Sequence, residues 1–299
     1  MEVKHIVPQG FCKGVIKAMM LTNDVLSSGA YPMPLYMLGS LVHNKHIMNA
    51  YKDLGIQVIS SLDGITQGSV IITAHGASDA CKKDILSRGL TLIDATCQDV
   101  AKTHTLIQER LSEGYQILFF GKRSHPETRG ILGISSDIIL IESLGDIASL
   151  SPITKQVALM VQTTMSTLDL ADVLRALKTK YPTIALHHDV CDATKRRQFA
   201  LLQGIKDVDL VIVVGDPMSN NTQKLRLIAK QETDVEVLLI ESINDLLNYD
   251  FKNIHKVALT AGASTPPAIV EEIEEGLQHG LHPSTLTACD YLKTKKTRA

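Results

Sequence analysis

The chain has 299 residues, of which 44% are hydrophobic, and its 30 Lys and Arg residues nearly balance its 32 Asp and Glu residues. The formal net charge of −2 argues against general attraction to nucleic acid or to an anionic membrane. No apolar run approaches the roughly 20 residues that span a bilayer, and the N-terminus lacks the layout of a signal peptide. We therefore expect a cytoplasmic protein with neither nucleic acid nor membrane as a partner.

Short apolar runs alternate with amphipathic stretches of helical length along the chain. The predicted strands, in chain order, are 5–7, a run ending at 38, 58–59, 70–72, a run ending at 120, 140–141, 157–161, 210–214, 239–240 and 257–259. The clearest predicted helices are 100–112, 167–179, 219–230 and 268–278. Continuous apolar runs are typical of strands buried on both faces of a parallel sheet, and strands alternating with helices predict βαβ units. Ligands of such sheets bind beyond the carboxyl ends of the strands.

Three of the five cysteines, Cys12, Cys97 and Cys191, open similar blocks of sequence. Each is followed 24 to 27 residues later by a glycine that ends an apolar strand, then by a short acidic turn and a second apolar strand. Recurrence of this order predicts a repeated structural unit. We predict an α/β fold of three pseudo-repeated units with parallel sheets, spanning 1–96, 97–190 and 191–282, and a frayed C-terminal tail, 283–299.

One cysteine in each unit suggests three thiolates that converge on one centre. Three thiolates can hold an iron–sulfur cluster that has one iron without a protein ligand. A zinc site usually takes four ligands, often in close pairs, and the sequence has no such pair. A lone catalytic cysteine does not explain the threefold recurrence. Cys81 and Cys289 have no equivalents in the repeat, and we expect both to be buried, inert thiols.

Polar side chains follow the strands of all three units. The candidates for a phosphate site are His43, His75, His125, Ser219, Asn220, Asn221 and Ser264. Imidazole, amide and hydroxyl donors near a helix N-terminus suit a phosphate group. The sequence contains neither Gly-x4-Gly-Lys-Ser/Thr nor Gly-x-Gly-x-x-Gly, so the familiar nucleotide-binding loops are not indicated.

Glu127 follows His125 by two residues and is the best candidate for a proton donor beside such a site. Burial near apolar walls would raise its pKa toward a useful value. Thr163, at the end of a strand in the second unit, is the candidate for relaying that proton.

These residues together resemble the 4-hydroxy-3-methylbut-2-enyl diphosphate reductase (LytB) family, the last enzyme of the non-mevalonate isoprenoid pathway. The motifs that carry the resemblance run from residue 10 to residue 264: Gly-Phe-Cys-x-Gly-Val at 10–15, Val-His-Asn at 42–44, Ala-His-Gly at 74–76, Asp-Ala-Thr-Cys at 94–97, His-Pro-Glu at 125–127, Gln-Thr-Thr at 162–164, Ser-x-Asn at 219–221 and Thr-Ala-Gly-Ala-Ser at 260–264. One departure is Gln98, where the family usually has proline after the second cysteine.

The resemblance implies a trefoil of three α/β domains around a 4Fe-4S cluster with one open iron, held by Cys12, Cys97 and Cys191. It implies that the diphosphate of the allylic substrate is surrounded by His43, His75, His125, Ser219, Asn220, Asn221 and Ser264. Glu127 as proton donor and Thr163 would lie near the hydroxymethyl end of the substrate. Electrons would come from ferredoxin or flavodoxin, and the products would be isopentenyl and dimethylallyl diphosphate.

Other functions fit part of the pattern. Quinolinate synthase, or another hydro-lyase that uses an open iron, would consume no electrons. A non-enzymatic iron–sulfur regulator would leave the strand-end histidines and Glu127 unexplained. A three-domain scaffold with inert thiols would show no cluster absorbance near about 400 nm, the region in which iron–sulfur thiolate centres absorb.

Overall fold

The computed structural model describes residues 1–188 and 190–294 and contains three parallel four-stranded sheets. The strands are β1 (Glu2–His5), β2 (Leu35–Leu38), β3 (Gln57–Ile59), β4 (Ser69–Ile72), β5 (Thr91–Asp94), β6 (Gln116–Phe120), β7 (Ile139–Ile141), β8 (Val157–Val161), β9 (Ala185–His188), β10 (Leu210–Val214), β11 (Glu236–Ile240) and β12 (Lys256–Ala261). This arrangement confirms the predicted α/β class with three parallel-sheet units.

Helices connect the strands. They are α1 (Lys13–Ser28), α2 (Lys45–Asp53), α3 (Asp79–Ser87), α4 (Gln98–Ser112), α5 (Pro126–Leu132), α6 (Leu144–Ser149), α7 (Thr167–Lys180), α8 (Asp192–Gly204), α9 (Asn220–Glu232), α10 (Pro267–His279) and α11 (Ala288–Tyr291). The four helices predicted most clearly from the sequence correspond to α4, α7, α9 and α10. Among the residues that the structure describes, no helix combines the length and apolar character that crossing a membrane requires.

The three sheets share one strand order. The N-terminal sheet runs β3-β2-β4-β5, the central sheet runs β7-β6-β8-β9, and the C-terminal sheet runs β11-β10-β12-β1. The edge strand beside β4 is β5, and the edge strand beside β8 is β9. In the C-terminal sheet the corresponding strand, beside β12, is β1, although β1 lies in the range predicted as the first unit, 1–96. Each of the three cysteines therefore follows the edge strand that lies beside a central strand.

The chain divides into two compact regions. The first consists of Met1–Met20, Val42–Gly55 and the chain from Asp192 on, and it contains the C-terminal sheet. The second consists of Leu21–Leu41 and Ile56–Cys191, and it contains the N-terminal and central sheets.

The strand β10 shows why these apolar runs form buried strands. All five of its side chains are buried, and successive residues point to opposite faces of the sheet. Leu210, Ile212 and Val214 pack against α10, whereas Val211 and Val213 pack in the cluster formed with α8 and α9. Burial of each such side chain contributes roughly 1.5–3 kcal/mol, so a run without polar residues is stable only with cover on both faces.

Two details of the sequence prediction need correction. The first strand lies at Glu2–His5 rather than at 5–7, because Pro8 has no N–H with which to continue the ladder. In the range predicted as a frayed tail, Ser284 donates to both carboxylate oxygens of Glu272, at 2.9 and 2.7 Å, and Leu286 packs against the core of the C-terminal sheet. Residues 295–299 of that tail lie outside the described residues.

Candidate active site

Cys12, Cys97 and Cys191 occupy equivalent positions, each directly before the first residue of a helix: α1, α4 and α8. The N–H of each cysteine donates to a carbonyl oxygen two residues beyond a central strand. The pairs are Cys12 with Ala263 at 3.1 Å, Cys97 with Ala74 at 3.0 Å, and Cys191 with Thr163 at 3.1 Å. The repeat seen in the sequence is thus also a repeat of backbone hydrogen bonding.

The free N–H groups at the start of a helix carry partial positive charge and can donate to a sulfur atom placed there. Val15 N–H donates to Cys12 Sγ at 3.5 Å in this way. All three cysteines are partly exposed, as metal ligands of a site that admits a substrate need to be. Three cysteines with this common placement are of the ligand type that holds an iron–sulfur cluster.

The other two cysteines differ from these three. Cys81 is partly buried in α3, where burial raises the pKa of its thiol and keeps it protonated. Cys289 is exposed, which contradicts its predicted burial. It lies on the short helix α11, where Tyr291 supplies the contact with the core instead.

Glu127, in the first turn of α5, is the most deeply buried acid among the described residues of the second region, with 1% of its surface exposed. Thr163 N–H donates to Glu127 Oε1 at 2.8 Å, and Thr163 Oγ1 donates to Oε2 at 2.8 Å. Since the carbonyl of Thr163 also accepts the N–H of Cys191, one threonine connects the proposed acid to a proposed metal ligand.

Burial raises the pKa of the Glu127 carboxyl to about 7, although the two hydrogen bonds from Thr163 act to lower it. Asp99, in the first turn of α4, raises it further through charge repulsion. A carboxyl group with a pKa near neutrality holds a proton and can release it, which is what general acid catalysis requires.

His125 contacts this acid, and His75 in turn contacts His125. His125 is the N-cap of α5, and its Nδ1 accepts the N–H of Glu127 at 3.2 Å. The rings of His75 and His125 meet edge to face, with 5.2 Å between their centroids. Because Nδ1 of His125 acts as an acceptor, its proton in the neutral ring lies on Nε2, which can donate to a phosphate oxygen.

In the first region, polar residues collect at the start of α9. Ser219 is its N-cap and accepts the N–H of Thr222 at 3.3 Å, while Asn220 and Asn221 form its first turn and are buried. The N-terminus of a helix of this length favours bound anions. The predicted phosphate donors of the third unit therefore lie where a helix dipole supports them.

The amide of Asn221 has a defined orientation. Ala263 N–H donates to Asn221 Oδ1 at 3.0 Å, so the oxygen is committed and the NH2 group points the other way. Asn221 Nδ2 is buried and has no hydrogen-bond partner among the described residues. An unsatisfied buried donor costs about 1–3 kcal/mol, and an anion would satisfy it. Through the Ala263 carbonyl this amide is also connected to the N–H of Cys12.

Ser264 connects two more of the predicted residues. Its Oγ donates to the carbonyl oxygen of His43 at 2.9 Å and lies 3.5 Å from Ser219 Oγ. Sequence reasoning missed Ala74 and Ala263, because an alanine side chain carries no chemical signal. Both alanines lie two residues beyond a central strand and directly before a candidate site residue, His75 or Ser264. That shared position in the repeat is the sequence feature by which they could have been identified.

Comparison with known proteins gives consistent matches over nearly the whole chain. A family model described as LytB protein matches residues 3–278. The 4-hydroxy-3-methylbut-2-enyl diphosphate reductase of Geobacillus kaustophilus is 40% identical over 285 residues, covering 93% of this chain and 90% of that protein. The reductase of the same name from Listeria monocytogenes is 41% identical over 280 residues, covering 91% and 85%.

Two solved structures are similar in fold. The E-1-hydroxy-2-methyl-but-2-enyl-4-diphosphate reductase from Plasmodium falciparum superposes with a TM-score of 0.88 at 31% identity, covering 93% of this chain and 88% of that one. A second structure, described as (E)-4-hydroxy-3-methyl-but-2-enyl diphosphate reductase, the terminal enzyme of the non-mevalonate pathway, has a TM-score of 0.67 at 29% identity, with coverage of 93% and 99%.

Proposed function

We infer the function of this protein from one premise: the chain belongs to the LytB protein family. It is an oxidoreductase that converts (E)-4-hydroxy-3-methylbut-2-enyl diphosphate to isopentenyl and dimethylallyl diphosphate, the last step of the non-mevalonate pathway. The reaction takes up two electrons and two protons and releases the allylic hydroxyl as water.

The cofactor proposed for this reaction is a 4Fe-4S cluster with Cys12, Cys97 and Cys191 as its protein ligands. Their equivalent positions before α1, α4 and α8 support the assignment, as does the chemistry of three thiolates at helix starts. When bound, such a cluster supplies electrons one at a time and an open iron that acts as a Lewis acid. We propose ferredoxin or flavodoxin as the external electron donor, because every turnover consumes two electrons that the enzyme must regain from outside.

We propose that the diphosphate is held by the donors that the family resemblance implies, namely Asn221 Nδ2, Asn220, the hydroxyls of Ser219 and Ser264, and the imidazoles of His43, His75 and His125. Imidazole N–H groups suit phosphate oxygens. These contacts fix the end of the substrate that does not react, so that binding energy is used to orient the allylic alcohol.

Glu127 holds the proton that the departing hydroxyl needs. With a pKa raised to about 7, the carboxyl group is about half protonated in neutral solution, whereas an exposed glutamate is almost fully ionised. Thr163 Oγ1, at 2.8 Å from Glu127 Oε2, is placed to pass the proton on. The hydrogen-bonded sequence from Glu127 through Thr163 to the backbone of Cys191 is the geometric observation that carries this proposal.

An anaerobic assay tests the function directly. Reconstituted protein should oxidise reduced viologen when (E)-4-hydroxy-3-methylbut-2-enyl diphosphate is added, with formation of the two isoprenoid diphosphates. A hydro-lyase would change the substrate without consuming viologen, and a regulator or scaffold would do neither. If protein with a full cluster does not oxidise viologen, the proposed reductase function is wrong.

A further inference from the structure

The segments that carry the diphosphate donors of the first region are held together by an acid outside the predicted site. Asp216 lies just beyond the end of β10, with 7% of its surface exposed. Asp216 Oδ2 accepts the N–H of Lys45 at 2.9 Å, and Oδ1 accepts the N–H of Met218 at 2.7 Å. One buried carboxylate thus links two stretches of chain that are 171 residues apart in sequence.

Both stretches lead directly to proposed phosphate donors. Lys45 is the first residue of α2 and follows His43 and its neighbour Asn44, the N-cap of that helix. In the second stretch, the carbonyl of Asp216 accepts the N–H of Ser219 at 3.0 Å. Both the side chain and the backbone of Asp216 therefore stabilise the turn that contains Ser219.

A second contact completes the arrangement. Ser264 Oγ donates to the carbonyl of His43 and lies beside Ser219 Oγ. The His43 segment is therefore fixed from two sides, by Asp216 and by Ser264. A shift of either segment would change the spacing between the donors that a diphosphate must meet at once.

We propose that Asp216 is a positioning residue for diphosphate binding: its carboxylate sets the distance between the His43 segment and the Ser219 segment. The inference rests on the proposed function and extends it to a residue without direct contact to the reacting atoms. Asp216 should therefore control substrate affinity and leave the chemical step unchanged.

Asp209, an exposed residue at the other end of the strands of the same sheet, offers a control for the loss of backbone hydrogen bonds. Asp209, just before β10, likewise accepts two backbone N–H groups with its carboxylate, those of His255 and Lys256, both at 2.8 Å. Asp209 lies at the amino ends of the strands, whereas Asp216 lies at their carboxyl ends. Loss of either carboxylate removes the same kind of contact, but only Asp216 holds the phosphate donors.

The test measures KM and kcat of reconstituted protein, together with calorimetric binding of inorganic pyrophosphate, for Asp216→Ala, Asp216→Asn and Asp209→Ala. Hydrogen bonds to a charged group are worth enough that Asp216→Ala should raise KM and the pyrophosphate Kd about tenfold, with kcat within about twofold. Asp216→Asn offers one acceptor to two donors and should raise both about threefold. Asp209→Ala should lower the melting temperature but leave KM and Kd within about twofold.

Three results would decide against the positioning role. Unchanged KM and Kd in both Asp216 variants would overturn it, and so would an equal loss of affinity in Asp209→Ala. Tighter binding by Asp216→Asn would show that the carboxylate acts only as a repulsive charge. The wild-type protein could lack reductase activity and still bind pyrophosphate, with weaker binding in the Asp216 variants. That result would contradict the proposed reductase function but support the positioning role of Asp216.

Discussion

Glu127 and Thr163 are joined twice, since both carboxylate oxygens of the acid accept from the threonine, one from its N–H and one from its hydroxyl. A buried carboxyl group held by two bonds of 2.8 Å has one orientation. The hydroxyl of Thr163 is then the neighbour through which a proton can leave. This pair defines where protonation takes place in the proposed reaction.

Replacement of Glu127 by glutamine tests the acid. Glutamine retains the shape and an acceptor for Thr163 but holds no acidic proton, so kcat should fall at least about a hundredfold. Substrate affinity and iron content should stay near wild type. Steady-state kinetics with viologen, together with iron analysis, make the measurement, and a Glu127→Gln variant with the wild-type kcat would remove Glu127 from this role.

The raised pKa of Glu127 predicts a pH dependence. The acid must be protonated to act, and its pKa lies at about 7 in the folded protein, so kcat/KM should decline as the pH rises through that value. The profile of kcat/KM reports groups of the free enzyme. Measurement from pH 5.5 to 9, over a range about 1.5 units or more on each side of this pKa, should show the decline. A flat profile in the wild-type protein would contradict the assignment.

Thr163 can be tested with two variants that differ in one group. Thr163→Val retains the N–H bond to Glu127 but loses the hydroxyl, whereas Thr163→Ser retains both. We expect kcat to fall about tenfold in the valine variant and about twofold or less in the serine variant. The hydroxyl bond also acts to lower the pKa of Glu127, so the decline of kcat/KM should move to higher pH in Thr163→Val. Equal kinetics in the two variants would exclude a relay.

The Nδ2 donor of Asn221 can be replaced while the hydrogen bond from Ala263 N–H to its side chain is retained. Asn221→Asp still accepts the N–H of Ala263 but replaces the NH2 group with a second oxygen, which repels a phosphate. We expect KM to rise about a hundredfold, since a lost charge-assisted bond and a like charge add up. Asn221→Ser is the milder control, and a KM near wild type in Asn221→Asp would show that Nδ2 does not contact the diphosphate.

Much of the candidate site was accessible from the sequence because its chemistry resides in side chains that recur. The repeat indicated Cys12, Cys97 and Cys191, and the motif around His125 indicated Glu127. The sequence could not show that β1 completes the C-terminal sheet, since pairing between distant segments leaves no local signal. Asp216 was missed for a related reason: its partners are backbone N–H groups, which every residue has.

The pKa of Glu127 also depended on the fold. The sequence allowed either an exposed loop glutamate or a buried acid, and only the packing of α5 against the loop after β8 decides between them. The apolar cover and the Thr163 contacts together place the value near 7. Residues whose function comes from burial can be suspected from sequence, but their chemistry is set by neighbours that are distant along the chain.

Anaerobic iron and sulfide content across single Cys→Ser variants tests whether Cys12, Cys97 and Cys191 bind one iron–sulfur cluster. Wild-type protein, Cys81→Ser and Cys289→Ser should each contain about four irons and four sulfides per chain. Cys12→Ser, Cys97→Ser and Cys191→Ser should each lose most of both. A full iron complement in any of these three variants, or its loss in Cys81→Ser, would show that these three cysteines are not the ligand set.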